Sequence, residues 1–199
     1  MGDNNPWSVG QAEKDGTRCL LTYEVRITGK EMTNTLLIEN NGSSSFNFQA
    51  LLHNYFAVDG QAAQDGTKTY VNGLGGYTIT DKVSGSKDHV QSYDDPVILE
   101  GETDRVYLHP EQHPVVHATL HTGGAGSLRL EAAGQVDENV STVSAVVWNP
   151  GPEKAAQMSD FGDDEYKSMI CVEPGLIGHQ PLLAPGAQAR LSQTIIVQD

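Results

Sequence analysis

Hydrophobic and polar positions alternate along much of the chain with the period of two that is typical of β-strands. The clearest example is the segment 17–28, in which every second residue from Cys19 to Ile27 is apolar and most of the intervening residues are polar. Such alternation predicts a strand with one apolar face. Clusters of Gly, Ser, Asp or Pro separate further predicted strands at 33–40, 46–58, 104–109, 114–121, 126–133, 141–149, 167–173 and 188–197.

Helical periodicity is scarce. The one segment that suits a helix is 152–159, where Pro152 can occupy the first helical position. The segment 60–68 is predicted to be a hairpin loop or an insertion. Many short strands with frequent turn signals favour an all-β sandwich or barrel. We expect a single domain over residues 1–199, with residues 1–16 as a polar lead-in.

Charge and composition narrow the function classes. The 199 residues include 12 Lys and Arg against 26 Asp and Glu, a net charge of −14. Such a surface repels phosphate backbones and anionic membranes, so neither nucleic acid nor a membrane is an expected partner. There are only two cysteines, the first ten residues are polar, and no stretch approaches the roughly 18 apolar residues of a membrane span. These features predict a cytoplasmic protein.

Four histidines, His109, His113, His117 and His121, recur at a spacing of four. On a helix they would form a ladder of metal ligands. Pro110 and the strand-like alternation after residue 114 argue against that helix. In a strand this spacing separates neighbouring histidines by about 13 Å, too far for one metal ion. We therefore interpret them as half-exposed side chains on a β-face and predict no metal site.

Two polar side chains interrupt apolar runs and are candidates for acid–base chemistry. His53 lies within 50–56 (ALLHNYF), where an unpaired imidazole would cost a few kcal/mol, so it is either a satisfied core histidine or part of a cavity. Glu173 follows the apolar residues 169–172 and precedes Pro174, where it could cap a turn or act as a carboxylate of raised pKa. Asp104 could pair with Arg105, and Trp148 could belong to the core or form a wall against a sugar ring.

Seven segments occur together in an order that resembles the aldose 1-epimerase family, specifically its hexose-6-phosphate mutarotase branch (glucose-6-phosphate 1-epimerase). The resemblance extends over nearly the whole chain from about residue 17. The segments are 35–42 (TLLIENNG), 50–56 (ALLHNYF), 71–74 (VNGL) continuing to 81–82 (DK), 102–107 (ETDRVY), 147–150 (VWNP) with 153–154 (EK), 158–161 (MSDF) and 171–175 (CVEPG).

This resemblance implies a galactose-mutarotase-like β-supersandwich and a cofactor-independent interconversion of the α and β anomers of a sugar or sugar phosphate. His53 then takes the position of the general acid and Glu173 that of the general base. Asp104 matches an acidic residue that holds the sugar or orients the histidine, and Trp148 is a second candidate for substrate binding. As a hypothesis, a carboxylate such as Asp104 beside His53 would favour the imidazolium and raise the pKa of His53.

Members of this family are usually longer, with an N-terminal portion that carries the first strands and the arginines that clamp the phosphate. No arginine precedes Arg18 here. We therefore expect an N-terminally truncated sandwich with an open sheet edge that can pair with another chain. The alternative function is a catalytically impaired carbohydrate-binding or partner-docking module derived from the same fold.

Overall fold

The computed structural model describes residues 16–110 and 115–198. Within them, nearly all regular structure is antiparallel β, and the predicted helix is reduced to α1 (Gly151–Ala155). One sheet contains β1 (Cys19–Thr28), β2 (Glu31–Asn40), β6 (Thr69–Asn72), β10 (Val116–Thr122), β11 (Ser127–Val136), β12 (Asn139–Ser141) and β16 (Gln188–Gln198). The other contains β4 (Ala50–Leu51), β5 (Tyr55–Ala57), β7 (Thr78–Asp81), β8 (Lys87–Val90), β9 (Thr103–Leu108), β13 (Ser144–Asn149) and β14 (Met169–Leu176). A small third sheet pairs β3 (Phe46–Asn47) with β15 (Leu182–Leu183).

The order of strands in each sheet sets the neighbours of β14, the strand that carries Glu173. The first sheet runs β1–β2–β16–β11–β10–β6, with β12 also paired to β11. The second runs β4–β14–β13–β9–β7–β8, with β5 also paired to β14. The alternate buried residues of the two sheets belong to one hydrophobic core, including Leu120, Leu130 and Leu191 of the first sheet and Val147, Ile170 and Val172 of the second.

The predicted all-β sandwich is confirmed, and the differences lie in details of the strands. The segment 46–58 is not one long strand, because its pairing is broken into β3, β4 and β5. The segment 167–173 begins as a 3₁₀ turn at 165–168, and its strand continues to Leu176, so Glu173 lies inside β14 rather than capping a turn at its end. Strands β6, β7 and β8 were not predicted, because they are only four residues long.

Strand β1 forms as predicted, but its apolar face is not buried. Leu21, Tyr23, Val25 and Ile27 retain between 49% and 72% of their accessible surface. Among the described residues, β1 pairs only with β2, so its other edge is open. Alternation predicted the strand and the face correctly, but burial of that face depends on a covering layer that sequence periodicity does not report.

None of the helices in the described part of the chain is both long and apolar enough to cross a membrane.

Candidate active site

The candidate site is built where the pairing of β14 with its neighbour is interrupted. β4 and β5 pair with β14 in one common register, in which His53, between them, falls opposite Glu173. Because side chains alternate across a strand, opposed residues project to the same face. His53 Nδ1 lies 3.3 Å from Glu173 Oε1. The structure therefore brings together the two side chains that the sequence singled out.

A row of four residues crosses the sheet beside this pair. Tyr55 on β5, Cys171 on β14, Trp148 on β13 and Asp104 on β9 are in direct register. They share one face with Glu173, since it is two residues from Cys171 on the same strand. This face points away from the first sheet, whereas Val172 and Val147 on the opposite face pack in the core.

Aromatic rings enclose the histidine. The rings of His53 and Tyr55 are stacked, with centroids 4.9 Å apart and planes within 8°. Trp148 meets both edge-on at 6.0 Å. The side chain of His53 remains 48% exposed, whereas that of Glu173 is only 4% exposed. The imidazole is thus accessible to a ligand from solvent, and the carboxylate lies beneath it.

Glu173 is set up to hold or release a proton near neutrality. Burial raises its pKa from 4.5 to about 7, and the charge of Asp104 acts in the same direction. The Lys82 ammonium and a hydrogen bond from the Cys171 thiol oppose this rise. Burial also raises the pKa of the Cys171 thiol, so it remains a hydrogen-bond donor. A buried carboxylate shifted in this way is a typical acid–base group.

His53 shifts in the opposite direction, because burial lowers its pKa below 6.5. The predicted contribution of Asp104 to the imidazolium is not what the structure shows. Asp104 lies 3.4 Å from Lys82 Nζ and acts on the pKa of Glu173 instead. The two shifts run in opposite directions, and each favours the uncharged form of its group.

The suggested pair between Asp104 and Arg105 does not form. Consecutive strand residues project to opposite faces, and Arg105 binds Asp81, which lies opposite it on β7, with Nε 2.9 Å from Oδ2. Sequence reasoning also missed three members of the site: Tyr55, Cys171 and Lys82. Tyr55 and Cys171 follow from the alternation once His53 and Glu173 are chosen. The position of Lys82 depends on the turn after β7, which the sequence pattern leaves open.

The histidine ladder does not assemble. His117 lies 3.7 Å from Glu131, His121 stacks on Tyr70, and His109 is buried against Tyr77; His113 lies outside the described residues. Within the described ranges, only His53, Cys171 and Glu173 bring three potential metal-donor atoms within 4.8 Å of one another.

The described site thus combines a histidine–glutamate pair with aromatic rings on the outer face of a β-sandwich. A comparison with family models identifies the class: residues 17–195 match the aldose 1-epimerase model. The chain belongs to the aldose 1-epimerase family.

Individual relatives agree. The chain is 30% identical over 215 residues to a Salmonella typhimurium protein named "Putative glucose-6-phosphate 1-epimerase", covering 98% of this chain and 65% of that protein. A Cenchrus ciliaris protein of the same name is 31% identical over 159 residues, covering 80% of this chain and 44% of that protein. The chain thus spans about two thirds or less of the length of these relatives.

Solved structures show the same fold. A crystal structure of a mutarotase-like protein from Salmonella typhimurium superposes with a TM-score of 0.71 at 27% identity, covering 96% of this chain and 58% of that one. A galactose mutarotase related enzyme from Lactobacillus acidophilus superposes with a TM-score of 0.66 at 10% identity, covering 96% and 65%. The expected galactose-mutarotase-like fold is confirmed, and this chain accounts for part of it.

Proposed function

We propose that this chain interconverts the α and β anomers of a hexose 6-phosphate by acid–base ring opening and closure. The observation that carries the proposal is the 3.3 Å contact of an accessible imidazole with a buried carboxylate whose pKa is raised to about 7. Family membership and the relatives named above support the reaction class. The cytoplasmic location stays a prediction from the sequence.

In the proposed step one proton leaves the anomeric hydroxyl and one is added to the ring oxygen, the two oxygens attached to C1. Glu173 takes the proton of the anomeric hydroxyl, and the electron pair of that O–H bond forms the aldehyde C=O while the bond from C1 to the ring oxygen breaks. His53 gives a proton to the ring oxygen through Nε2, because Nδ1 faces Glu173. The aldehyde then rotates about its bond to C2, and the two groups reverse roles to close the ring on the other face.

The opposed pKa shifts suit this cycle. Before opening, the proton is on His53, and after opening it is on Glu173, so the pair carries one proton in both states. With ordinary pKa values the first state would be strongly favoured. A lowered pKa of His53 and a raised pKa of Glu173 both favour the second state relative to that ordinary preference. Tyr55 and Trp148 would pack against the sugar ring, and Asp104 would accept from its hydroxyls.

The proposal that the sugar is phosphorylated requires a cation near the site to bind the phosphate. Arg105 and Lys154 are paired with Asp81 and Glu102, and their side chains are 26% and 42% exposed. Lys82 contacts Asp104 of the site, and its side chain is 55% exposed. It is therefore the cation that a substrate phosphate can recruit with the least desolvation.

Anomer exchange measured by NMR saturation transfer tests the proposal directly. We expect the chain to accelerate exchange of glucose 6-phosphate, and to act on glucose more weakly. Exchange of glucose alone would overturn the phosphate assignment while leaving the reaction. No exchange of either sugar by a protein with a cooperative unfolding transition would overturn the catalytic proposal in favour of a binding module.

We expect the rate of anomer exchange to fall at alkaline pH, once the His53–Glu173 pair loses its one proton. This decrease should begin near the Glu173 pKa of about 7. The Lys82 cation lowers that pKa. The substitution Lys82→Gln is therefore expected to raise the pKa of Glu173, and the alkaline limb of the rate profile should move to higher pH. Rates measured between pH 5.5 and 9 check this. The matched control Lys68→Gln, in a turn before β6, leaves the limb in place; a limb that moves equally in both variants, or that moves down in Lys82→Gln, contradicts the assignment.

The open edge of β1 favours a second proposal: this edge pairs with the same edge of a second copy. Among the described residues this edge has no partner strand, and β1 carries an exposed apolar row. An antiparallel pairing about a two-fold axis at Val25 sets Glu24 opposite Arg26 of the other copy, and the reverse. It also sets Tyr23 opposite Ile27. The strand is thus complementary to itself in charge and in apolar contact, as an isologous interface requires.

Sedimentation equilibrium tests this pairing. We expect a concentration-dependent dimer. Arg26→Glu places like charges opposite each other twice, which weakens the dimer by about tenfold. The exchanged variant Glu24→Arg/Arg26→Glu restores opposite charges and so restores the dimer. Both residues are exposed, and neither change disturbs the core. A chain that stays monomeric at all concentrations, or a dimer indifferent to Arg26→Glu, refutes the pairing.

A further inference from the structure

Gln193 is a polar residue in the middle of a strand face that is otherwise apolar. On β16 it follows Ala189 and Leu191 and precedes Ile195, and all four face the core. Its side chain is fully buried, with no accessible surface. An amide in such a place costs free energy unless it makes a hydrogen bond. Its position between the two sheets therefore calls for an explanation.

The hydrogen bonds of Gln193 connect it to the candidate site on the other sheet. Its Oε1 accepts from Asn54 Nδ2 at 2.9 Å. The same Nδ2 lies 3.0 Å from the carbonyl oxygen of Val172 and 3.1 Å from that of Leu52. Asn54 thus spans the core from the second sheet to the first, next to His53 in the chain.

These bonds lie where the ladder between β4–β5 and β14 is interrupted. In the common register of these strands Asn54 is opposite Val172, just as His53 is opposite Glu173. The Asn54 amide occupies the Val172 carbonyl at this point. Because neighbouring strand residues point to opposite faces, holding Asn54 inward holds His53 outward, toward the carboxylate.

We propose that Gln193 is a positioning residue for His53, acting through Asn54 from the sheet opposite the site. This inference rests on the proposed acid–base function. Gln193 touches neither a sugar nor the reacting groups. It fixes the orientation of the Asn54 amide, and thereby the distance of the imidazole from Glu173.

Only the oxygen of the Gln193 amide makes the hydrogen bond to Asn54. Its Nε2 has no hydrogen-bond partner among the described residues, and neither does Oδ1 of Asn34, its register neighbour on β2. An unpaired buried donor destabilises the fold. An apolar side chain of similar shape at position 193 therefore removes the hydrogen bond to Asn54, and it also removes the unpaired donor. Stability and positioning are expected to respond differently.

The variant Gln193→Met tests the proposal. We expect kcat for anomer exchange to fall by between about tenfold and a hundredfold, since a small misplacement of a catalytic group has effects of this size. KM stays within about twofold, and the urea midpoint does not fall. Gln193→Glu, which keeps an oxygen acceptor for Asn54, recovers most of the rate near pH 6. A matched control is Thr69→Val, which removes another buried polar atom without a described partner, on β6.

A readout that does not depend on catalysis is the ring ¹⁵N and ¹³C signals of His53 in the substrate-free protein. They shift in Gln193→Met, return in Gln193→Glu and are unchanged in Thr69→Val. If His53 shifts but no variant or wild type exchanges sugars, the positioning stands and the proposed function fails. Unchanged His53 signals with an unchanged kcat overturn the positioning, as does a loss of rate that merely follows a lower urea midpoint.

Discussion

The substitution Glu173→Gln is expected to reduce the rate of anomer interconversion by about 10²–10⁴-fold, and His53→Ala by a similar factor. Each substitution removes one of the two positioned proton transfers. Glutamine keeps the shape of the side chain but cannot accept the hydroxyl proton as a carboxylate does. Alanine removes the group that protonates the ring oxygen. The two changes together should cost less than the product of the single effects, since both groups serve one cycle.

Saturation transfer with glucose 6-phosphate measures these losses, provided that circular dichroism shows an intact β-fold. The matched controls are Glu31→Gln and His89→Ala, which make the same kinds of change at exposed positions on β2 and β8. They should exchange at the rate of the unmodified chain. Rates within about threefold of that value in both site variants would rule out the acid–base pair.

The second large effect concerns stability and carries the opposite sign. Above pH 7, Glu173→Gln is expected to stabilise the fold by up to about 3 kcal/mol, because a buried carboxylate with a pKa raised from 4.5 to about 7 is more costly to ionise in the folded state. The amide fills the same space without a charge. His53, whose pKa is lowered, is neutral in this range, so no ion pair is lost.

The pH range follows from the two pKa values. Below 4.5 the carboxyl is protonated in both folded and unfolded chains, and variant and wild type should be equally stable. Between 4.5 and 7 only the unfolded chain has released the proton, so the contribution of this group to stability declines. Above 7 it has been lost completely, and the difference between variant and wild type is constant.

Urea unfolding of both proteins at pH 4.5, 6 and 8 measures this difference. It should grow from near zero to its full value across the series, whereas the control Glu31→Gln should show no such trend. A variant less stable than wild type at pH 8 would mean that the carboxylate is stabilised in the fold, contrary to the raised pKa. Together with the rate loss, a stability gain would mark Glu173 as a residue kept for function.

Much of the site was predictable from residue types in apolar surroundings. His53 and Glu173 stand out because each interrupts a run of buried residues, and a polar group there needs a partner. What the sequence could not supply was that they partner each other, since this depends on the register of β4 and β5 with β14. Asp104, a predicted substrate-binding residue, lies near Lys82 and acts on the pKa of Glu173 rather than on that of His53.

The sequence by itself determined most of the longer strands, the all-β class and the family, because alternation and motif order can be read directly from the order of residues. The tertiary structure decided which faces are covered. It left the apolar face of β1 exposed, although the same alternation buries the inward face of β16. It also joined Gln193 to Asn54 across the core, over 139 positions of chain. The physical reason is that burial and hydrogen bonding between sheets depend on which strands are stacked, and a period of two is the same whether or not another layer lies above it.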